Sequence, residues 1–353
     1  MAFDVVVFGT GSLARAVCHS LAAQLTGPAT ALIVGRSRER AAEVAFIAGA
    51  RAATRDQDLR FAAADLDLEN TEALEGLVQD ARICVVCASE QSPWERTTSP
   101  SGWTELMGRA GFGVSLPFQA HLAAAVARAV GARSPGTLVV NACFPDAVNP
   151  VLAALGLPIW CGVGNVAVVA TALQLDLGLP DQTGLHVLAH HAQLHTPPPG
   201  CPEAMAWSDG TPVTDVSGRL ATQRSVRRAE LNEITGFAAG RLIDAALRGT
   251  AFATHLPGPS GLPGGYPVQV RGNDIELRLP AGLSAAEAVA WNEHAARFDG
   301  AWLSEGRIVF SPTAREALRE HLPDAPDGWE LDELRERLLA VRRRLRAVTA
   351  RVP

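Results

Sequence analysis

The sequence contains no lysine: all 31 of its Lys and Arg positions are arginine. That excludes Schiff-base catalysis, which needs an amine nucleophile, and the P-loop, which needs a lysine on the phosphates. No uninterrupted apolar run is long enough to span a bilayer. No secretory leader is read before residue 3, so a cytoplasmic location without a membrane partner is expected. Net charge is −6, which argues against a nucleic-acid surface. Cysteines number 6, and the CxxC formed by Cys84 and Cys87 lies inside the apolar run ARICVVCAS. On a strand, residues three apart face opposite sides, so these thiols read as buried, not as a redox or zinc pair. Charged residues make up only 19% of the 353 and apolar ones 48%, enough for a folded chain with a sizeable core in two domains.

What is present is alternation. Apolar, β-branched runs predict strands over 3–8, 31–34, 60–64, 83–88 and 137–140. Helical spacing fills the gaps, over 13–25, 38–50, 69–79 and 117–130. This predicts an α/β fold, a doubly wound parallel sheet of Rossmann type. Past residue 150 the pattern changes. Helices are expected over 165–177, 223–248 and 284–298, with Gly236 a candidate break in the second. A short strand is expected over 185–189, and two more within 266–279, joined at Gly272-Asn273-Asp274 as a hairpin. The expected division is a dinucleotide-binding domain (1–145), an α+β substrate domain (146–300) and a C-terminal helical extension (301–353). The extension holds the strand RIVF and two helices; the last, over 331–348, reads as an amphipathic cap with a solvated basic face.

Gly9-Thr10-Gly11-Ser12-Leu13-Ala14 is GxGxxA between the first strand and the first helix. The first glycine permits the turn, the second lets a pyrophosphate approach the backbone, and the small Ala14 lets helix pack on strand. The phosphates then meet the positive end of the helix dipole. Where an acid would accept hydrogen bonds from the adenosine ribose of NAD, the second strand ends in Gly35, followed by Arg36, Ser37 and Arg38. Guanidinium groups match a phosphate fork, so NADP is the expected cofactor. Asp65, after the third strand, is placed near the adenine end, and Ala88 and Ser89, after the fourth, complete the expected cofactor wall.

Three segments of the second half carry a resemblance: LPIWCGVGNVAVVA (157–170), VLAHHAQ (187–193) and TGFAAGRLID (235–244). With the glycine loop, they make the chain resemble the malate/lactate dehydrogenases over roughly residues 1 to 300. The resemblance implies that His191 is the catalytic acid/base and that Asn141 is the active-site asparagine. The usual Asn-Pro pair is here replaced by Asn141-Ala-Cys-Phe-Pro145. It also implies a second domain of malate/lactate dehydrogenase type and a homo-oligomer, dimer or tetramer. The departures are specific. Ala167 stands where the family has the Asp that orients the histidine, and Ala170 where it has the substrate-binding Arg. The loop SEQSPWERTTSPSGWTEL offers Arg96 alone for its catalytic cations, between Trp94 and Trp103.

A buried carboxylate without its cation costs ~3–5 kcal/mol. Two rings in the lid add apolar area instead. A larger, less charged ketone or imine than malate or lactate is therefore expected. A histidine without its carboxylate loses tautomer control, a change that costs ~10⁴ in rate in a serine protease. His190, Gln193 and His195 are the candidates to orient His191. His186, His190, His191 and His195 would pair at i, i+4 on a helix, but VLAHHAQL reads as a strand end, where His190 and His191 face opposite ways, and no metal is expected. The expected activity is NADP-dependent hydride transfer to or from a ketone or imine of a small metabolite. An opine or imine-reductase type of enzyme and a catalytically silent NADP-binding or assembly protein are the alternatives.

Overall fold

The computed structural model describes residues 2–348. Its first half is a parallel sheet of six strands: β1 (Val5–Phe8), β2 (Ala29–Gly35), β3 (Leu59–Asp65), β4 (Ile83–Val86), β5 (Leu138–Asn141) and β6 (Cys161–Gly162). The spatial order is β3-β2-β1-β4-β5-β6, so the winding reverses between β1 and β4. Ligands bind at such a switch point, beyond the carboxyl ends of the strands. Val5 to Phe8 are all fully buried, because helices cover both faces and leave no side of the strand wet. Val6 and Phe8 enter one core and Val5 and Val7 the other. Cys84 and Cys87 split between the same two cores, as strand alternation requires.

One face is covered by α1 (Ser12–Gln24) and α2 (Arg38–Ala53). The other is covered by α3 (Thr71–Val78) and, after the short α4 (Glu95–Thr98), by α5 (Gly102–Ala110) and α6 (Leu116–Arg133). The second half begins with α7 (Pro145–Ala154) and α8 (Val166–Asp176). A small antiparallel sheet follows, β7 (Leu185–Leu188), β8 (Met205–Ser208) and β9 (Thr211–Pro212). After two short helices, α9 (Val216–Arg219) and α10 (Ala221–Ser225), comes α11 (Arg228–Arg248). A second antiparallel sheet is formed by β10 (Ala251–Pro257), β11 (Gly265–Arg271) and β12 (Asp274–Leu277), and α12 (Ala285–Ala296) closes this half. The hairpin expected within 266–279 is β11–β12, with Arg271 opposite Asp274 and Gly272 at φ +56° in the turn. β8, β9 and β10 have no counterpart in the sequence reading, since short strands interrupted by Pro and Gly carry weak periodicity.

Gly236 does not break α11, which is continuous from Arg228 to Arg248. The glycine serves close approach instead: a Cβ there would lie 2.5 Å from the Ala16 carbonyl carbon of α1, and one on Gly240 would lie 2.6 Å from the Gln24 amide. The helix also starts later than residue 223; a kink at 226–227 separates α10 from α11 and leaves Arg228 at the N-terminus of the long helix.

The last stretch is a two-stranded ribbon, β13 (Ala301–Ser304) and β14 (Arg307–Phe310), then α13 (Pro312–Leu318) and α14 (Leu331–Arg346). Ile308, Phe310, Leu334, Leu338 and Val341 enter the same core as Val6, Phe8, Trp103 and Phe118. The extension therefore packs on the first half of the chain, against α5 and α6. Residues 349–353, the end of the expected extension, lie outside the described residues.

Gly236→Ala is expected to destabilise the protein by about 1–3 kcal/mol through overpacking against α1, although alanine favours a helix interior by ~1 kcal/mol. Chemical denaturation checks this. An unchanged midpoint would mean that α1 and α11 separate without loss.

Candidate active site and dinucleotide cleft

The strand-to-helix turn after β1 is built around Gly9, at φ +124°. Its N–H donates to Val34 O (2.7 Å). A Cβ on it would sit 3.1 Å from the Cys87 carbonyl, so only glycine lets β1 and β4 close this near. Gly11 is the N-cap of α1, with no side-chain cap and no acid in the first turn. A Cβ on it would meet nothing within 4 Å. The unpartnered N–H groups of the helix start therefore open into a cleft of about 1170 Å³. Gly9, Thr10, Gly11, Ser12 and Leu13 line it, while Ala14 is buried beneath and packs α1 on the sheet.

Gly35 lines the same cleft. A Cβ there would come 2.7 Å from the Thr10 methyl group, so a side chain at the end of β2 would require Thr10 to shift. Arg36 and Arg40 line the cleft. Ser37 instead caps α2, its Oγ accepting from Arg40 N (3.3 Å), and Arg38 turns to Asp65 (3.5 Å). Asp65, Ala88 and Ser89 also line the wall.

At the far end of the cleft lies His191, with Phe112 stacked on it and Phe144 edge-on, each with ring centroids 5.0 Å away. β7 ends at Leu188, and a single 3-10 turn runs His191–Leu194. That turn overrides strand alternation, so His190 and His191 converge on one carboxylate. Nδ1 of His191 is hydrogen-bonded to Asp299 Oδ1 (2.8 Å), and Nδ1 of His190 lies 2.9 Å from Oδ2. Asp299 thus supplies a carboxylate to Nδ1 of His191, whereas Ala167 is buried in α8 and offers none. Of the residues expected to orient His191, Gln193 holds the His190 backbone (N to Oε1, 2.6 Å), and His195 faces an arginine. Among the four histidines considered for a metal, His186 lies apart on β7.

Asp299 is delivered by glycine. A Cβ on Gly111 would lie 2.4 Å from Asp299 O, one on Gly113 2.4 Å from Ala301 N, and one on Gly300 2.2 Å from Ala110 O. The two backbones lie too close for side chains between them, which pushes the carboxylate beside the histidines. Burial opposes its charge, but the His191 and His190 rings outweigh this and hold the carboxyl far below its usual range. Burial likewise opposes charge on His190, and the contact with Asp299, with the charges of Asp299 and Asp146, raises it.

Arg228, at the start of α11, donates from Nη2 to His191 Nε2 and from Nη1 to His195 Nε2, both at 2.9 Å. Burial depresses the guanidinium, opposed through space by Asp299 and Asp146. His195 is pushed down to about 4 by burial and by Arg228. Since Arg228 only donates, Nε2 of His191 holds a lone pair and the proton sits on Nδ1, facing Asp299. This is a half-buried cation beside Nε2 of His191, in a chain whose α8 carries Ala170 and no arginine.

Two expected residues are placed elsewhere. Asn141 is fully buried beneath the cleft; its amide donates to Asn149 Oδ1 (2.9 Å) and Cys143 O (3.1 Å), and its Oδ1 accepts from Cys143 N (2.9 Å). It shapes the bend that holds Phe144 at φ +47° ahead of Pro145. Arg96 is exposed on α4 and does not line the cleft. Of the two loop tryptophans, Trp94 lines the cleft, whereas Trp103 is fully buried and donates to Gln91 Oε1 (2.9 Å). The arginines of α14 form no simple solvated face. Arg335 forks onto Glu90 (2.6 and 2.7 Å), Arg346 reaches Glu95 (2.7 Å), and Arg342 is buried at the cleft wall. Sequence reading missed Asp299, Arg228 and Arg342. The Asp-Gly pair closing α12 was the one local sign of the first.

No family model and no curated protein matches the sequence. Solved structures do. The malate dehydrogenase from Picrophilus torridus matches at TM-score 0.58 and 14% identity, covering 85% of this chain and 98% of that one. The malate dehydrogenase from Plasmodium falciparum matches at 0.57 and 11%, covering 90% and 99%. A lactate dehydrogenase from a Medee basin deep-sea metagenome matches at 0.54 and 14%, covering 84% and 96%. The chain has the malate/lactate dehydrogenase fold, a Rossmann domain followed by a C-terminal domain. Among the described residues, no helix is long and apolar enough to cross a membrane.

The charged Asp299–His190 pair carries a pH signature. Stability from the raised histidine is complete below its unfolded pKa of about 6.5 and is lost as pH rises through the folded value. Stability from the depressed carboxyl is present above about 3.9 and is lost as pH falls through its folded value. Asp299→Asn is therefore expected to cost about 3 kcal/mol at pH 5.5 and less at pH 9, by chemical denaturation. An equal gap at both would mean that the pair is not charged.

Proposed function

We propose that this protein is an oxidoreductase that moves a hydride between a nicotinamide dinucleotide, NADP(H), and a carbonyl or imine carbon of a small metabolite other than malate or lactate. The observation that carries this reading is the Asp299–His191–Arg228 line at the end of a dinucleotide-shaped cleft. The glycine turn, with its uncapped helix start, fits a pyrophosphate. Two neighbours of the same fold, the malate dehydrogenase from Archaeoglobus fulgidus and the lactate dehydrogenase from Eimeria maxima, are described in complex with NADH. The bound cofactor would supply or accept the hydride.

The chain's own residues do the rest. In the reducing direction, protonated His191 gives its Nε2 proton to the substrate oxygen or nitrogen as the hydride adds to carbon. In the oxidising direction Nε2 takes that proton back. Asp299 holds the proton on Nδ1 and stabilises the imidazolium. Phe112 and Phe144 fix the ring and exclude water. Arg228 swings from Nε2 onto an anionic group of the substrate. This revises the expectation of a weakly charged substrate, because a cation stands at the site after all. One such cation suits a monoanion, and the apolar wall of Phe112, Phe144, Val168 and Leu231 suits a side chain larger than the methyl group of lactate.

Preference for NADP(H) is supported by the absence of an acid at Gly35 and by Arg36 and Arg40 on the wall. Exposed Phe46 on α2 (72%) and Phe237 on α11 (57%) support a homo-oligomer.

Fluorescence titration is expected to show NADPH binding about tenfold or more tighter than NADH, with the preference lost in Arg36→Gln/Arg40→Gln. Preference for NADH would overturn the cofactor choice. In a screen of 2-oxo acids and imines with NADPH, His191→Gln should lower kcat by about 10²–10⁴. Arg228→Gln should chiefly raise KM for the anionic substrate. Turnover untouched by His191→Gln would overturn the assignment of the acid/base.

A further inference from the structure

Arg342 is out of keeping with the rest of the α14 surface. It is 6% exposed, and its guanidinium stacks 4.3 Å above the Phe118 ring. Nη2 donates to Glu90 O (2.6 Å). Nε and Nη1 are buried and have no acceptor among the described residues. The neighbouring carboxylates are already taken, Glu90 by Arg335 and Glu95 by Arg346. A buried cation with two free donors is costly unless something outside the chain accepts from them. Arg342 lines the cleft, so a ligand there meets its side chain, and a turn of the guanidinium would bring Nε or Nη1 to it.

Its position narrows the ligand. Glu90 follows Cys87 by three residues, a span of at most about 10 Å. The Cys87 carbonyl in turn faces Gly9, 3.1 Å from where a Cβ would be. Arg342 thus stands on the β4 side of the crevice between β1 and β4, across from the glycine turn. A pyrophosphate seated on that turn would have the uncapped start of α1 on one side and the Arg342 wall of the cleft on the other. We propose that Arg342 of the C-terminal helix is a ligand for the pyrophosphate of the bound dinucleotide, so that the last helix of the chain completes a cofactor site begun by its first loop. Burial and the adjacent Arg346 depress this guanidinium to about 10, and an anion beside it would reverse that shift.

The inference rests on the dinucleotide reading, and the test separates the two. Calorimetric titration of the full chain with ADP-ribose probes the pyrophosphate without a nicotinamide or a 2′-phosphate. Wild type is expected to bind both ADP-ribose and NADPH. Arg342→Gln should weaken ADP-ribose by about ten- to hundredfold, and Arg342→Lys by less. If wild type binds neither ligand, the cofactor reading fails. If wild type binds and R342Q binds ADP-ribose equally well, this inference fails alone. Loss of NADPH affinity with ADP-ribose unaffected would place the anion at the 2′-phosphate and overturn it too. Should R342Q not fold, hydrogen exchange in wild type decides. ADP-ribose should slow amide exchange in α14, and an unchanged rate there overturns the proposal.

Discussion

A single buried carboxylate organises the histidine end of the cleft. Asp299 contacts both His190 and His191 through Nδ1, and those contacts decide which nitrogen of His191 faces the cleft. Without it, two adjacent histidines at the end of a short strand would have no common orientation. The carboxylate is tolerable in the core because two rings share its charge, and the rings are held in place by Phe112, Phe144 and the Gln193 turn. Removing the acid would disturb packing, charge and tautomer together.

The same chemical problem can be solved from different places in a fold. The helix that could carry an acid and an arginine, α8, carries Ala167 and Ala170 and is wholly apolar along its buried side. The acid comes instead from the turn after α12 and the cation from the start of α11. Both lie where a helix begins or ends. This accounts for a site that keeps a histidine, an acid and an arginine in contact while sharing little sequence with the dehydrogenases of known structure.

How much of this was legible depends on the range of the forces involved. The glycine turn, the sheet and the β11–β12 hairpin follow from local rules, and those positions were readable because a turn or a strand needs particular residues nearby. The meaning of Gly236 was not: the same residue that weakens a helix also lets another approach, and only the partner α1 decides between them. Asp299 is 108 residues from His191. Its placement depends on glycines at 111, 113 and 300 that bring two backbones together, and no pattern within a window of sequence encodes that. Arg96 shows the converse error: an arginine in the expected loop is not an arginine in the site when α14 arginines bind the acids on either side of the loop's path.

The shared core of β1, α5 and α6 with α13 and α14 has a temporal consequence. A ribosome releases α5 and α6 long before α14, so the helix faces that Leu334, Leu338 and Val341 cover stay bare during most of synthesis. Such delayed closure of sequence-distant contacts slows folding and leaves an adhesive surface on the nascent chain. Shielding by a chaperone, or by the rest of the chain, would be needed until α14 is made.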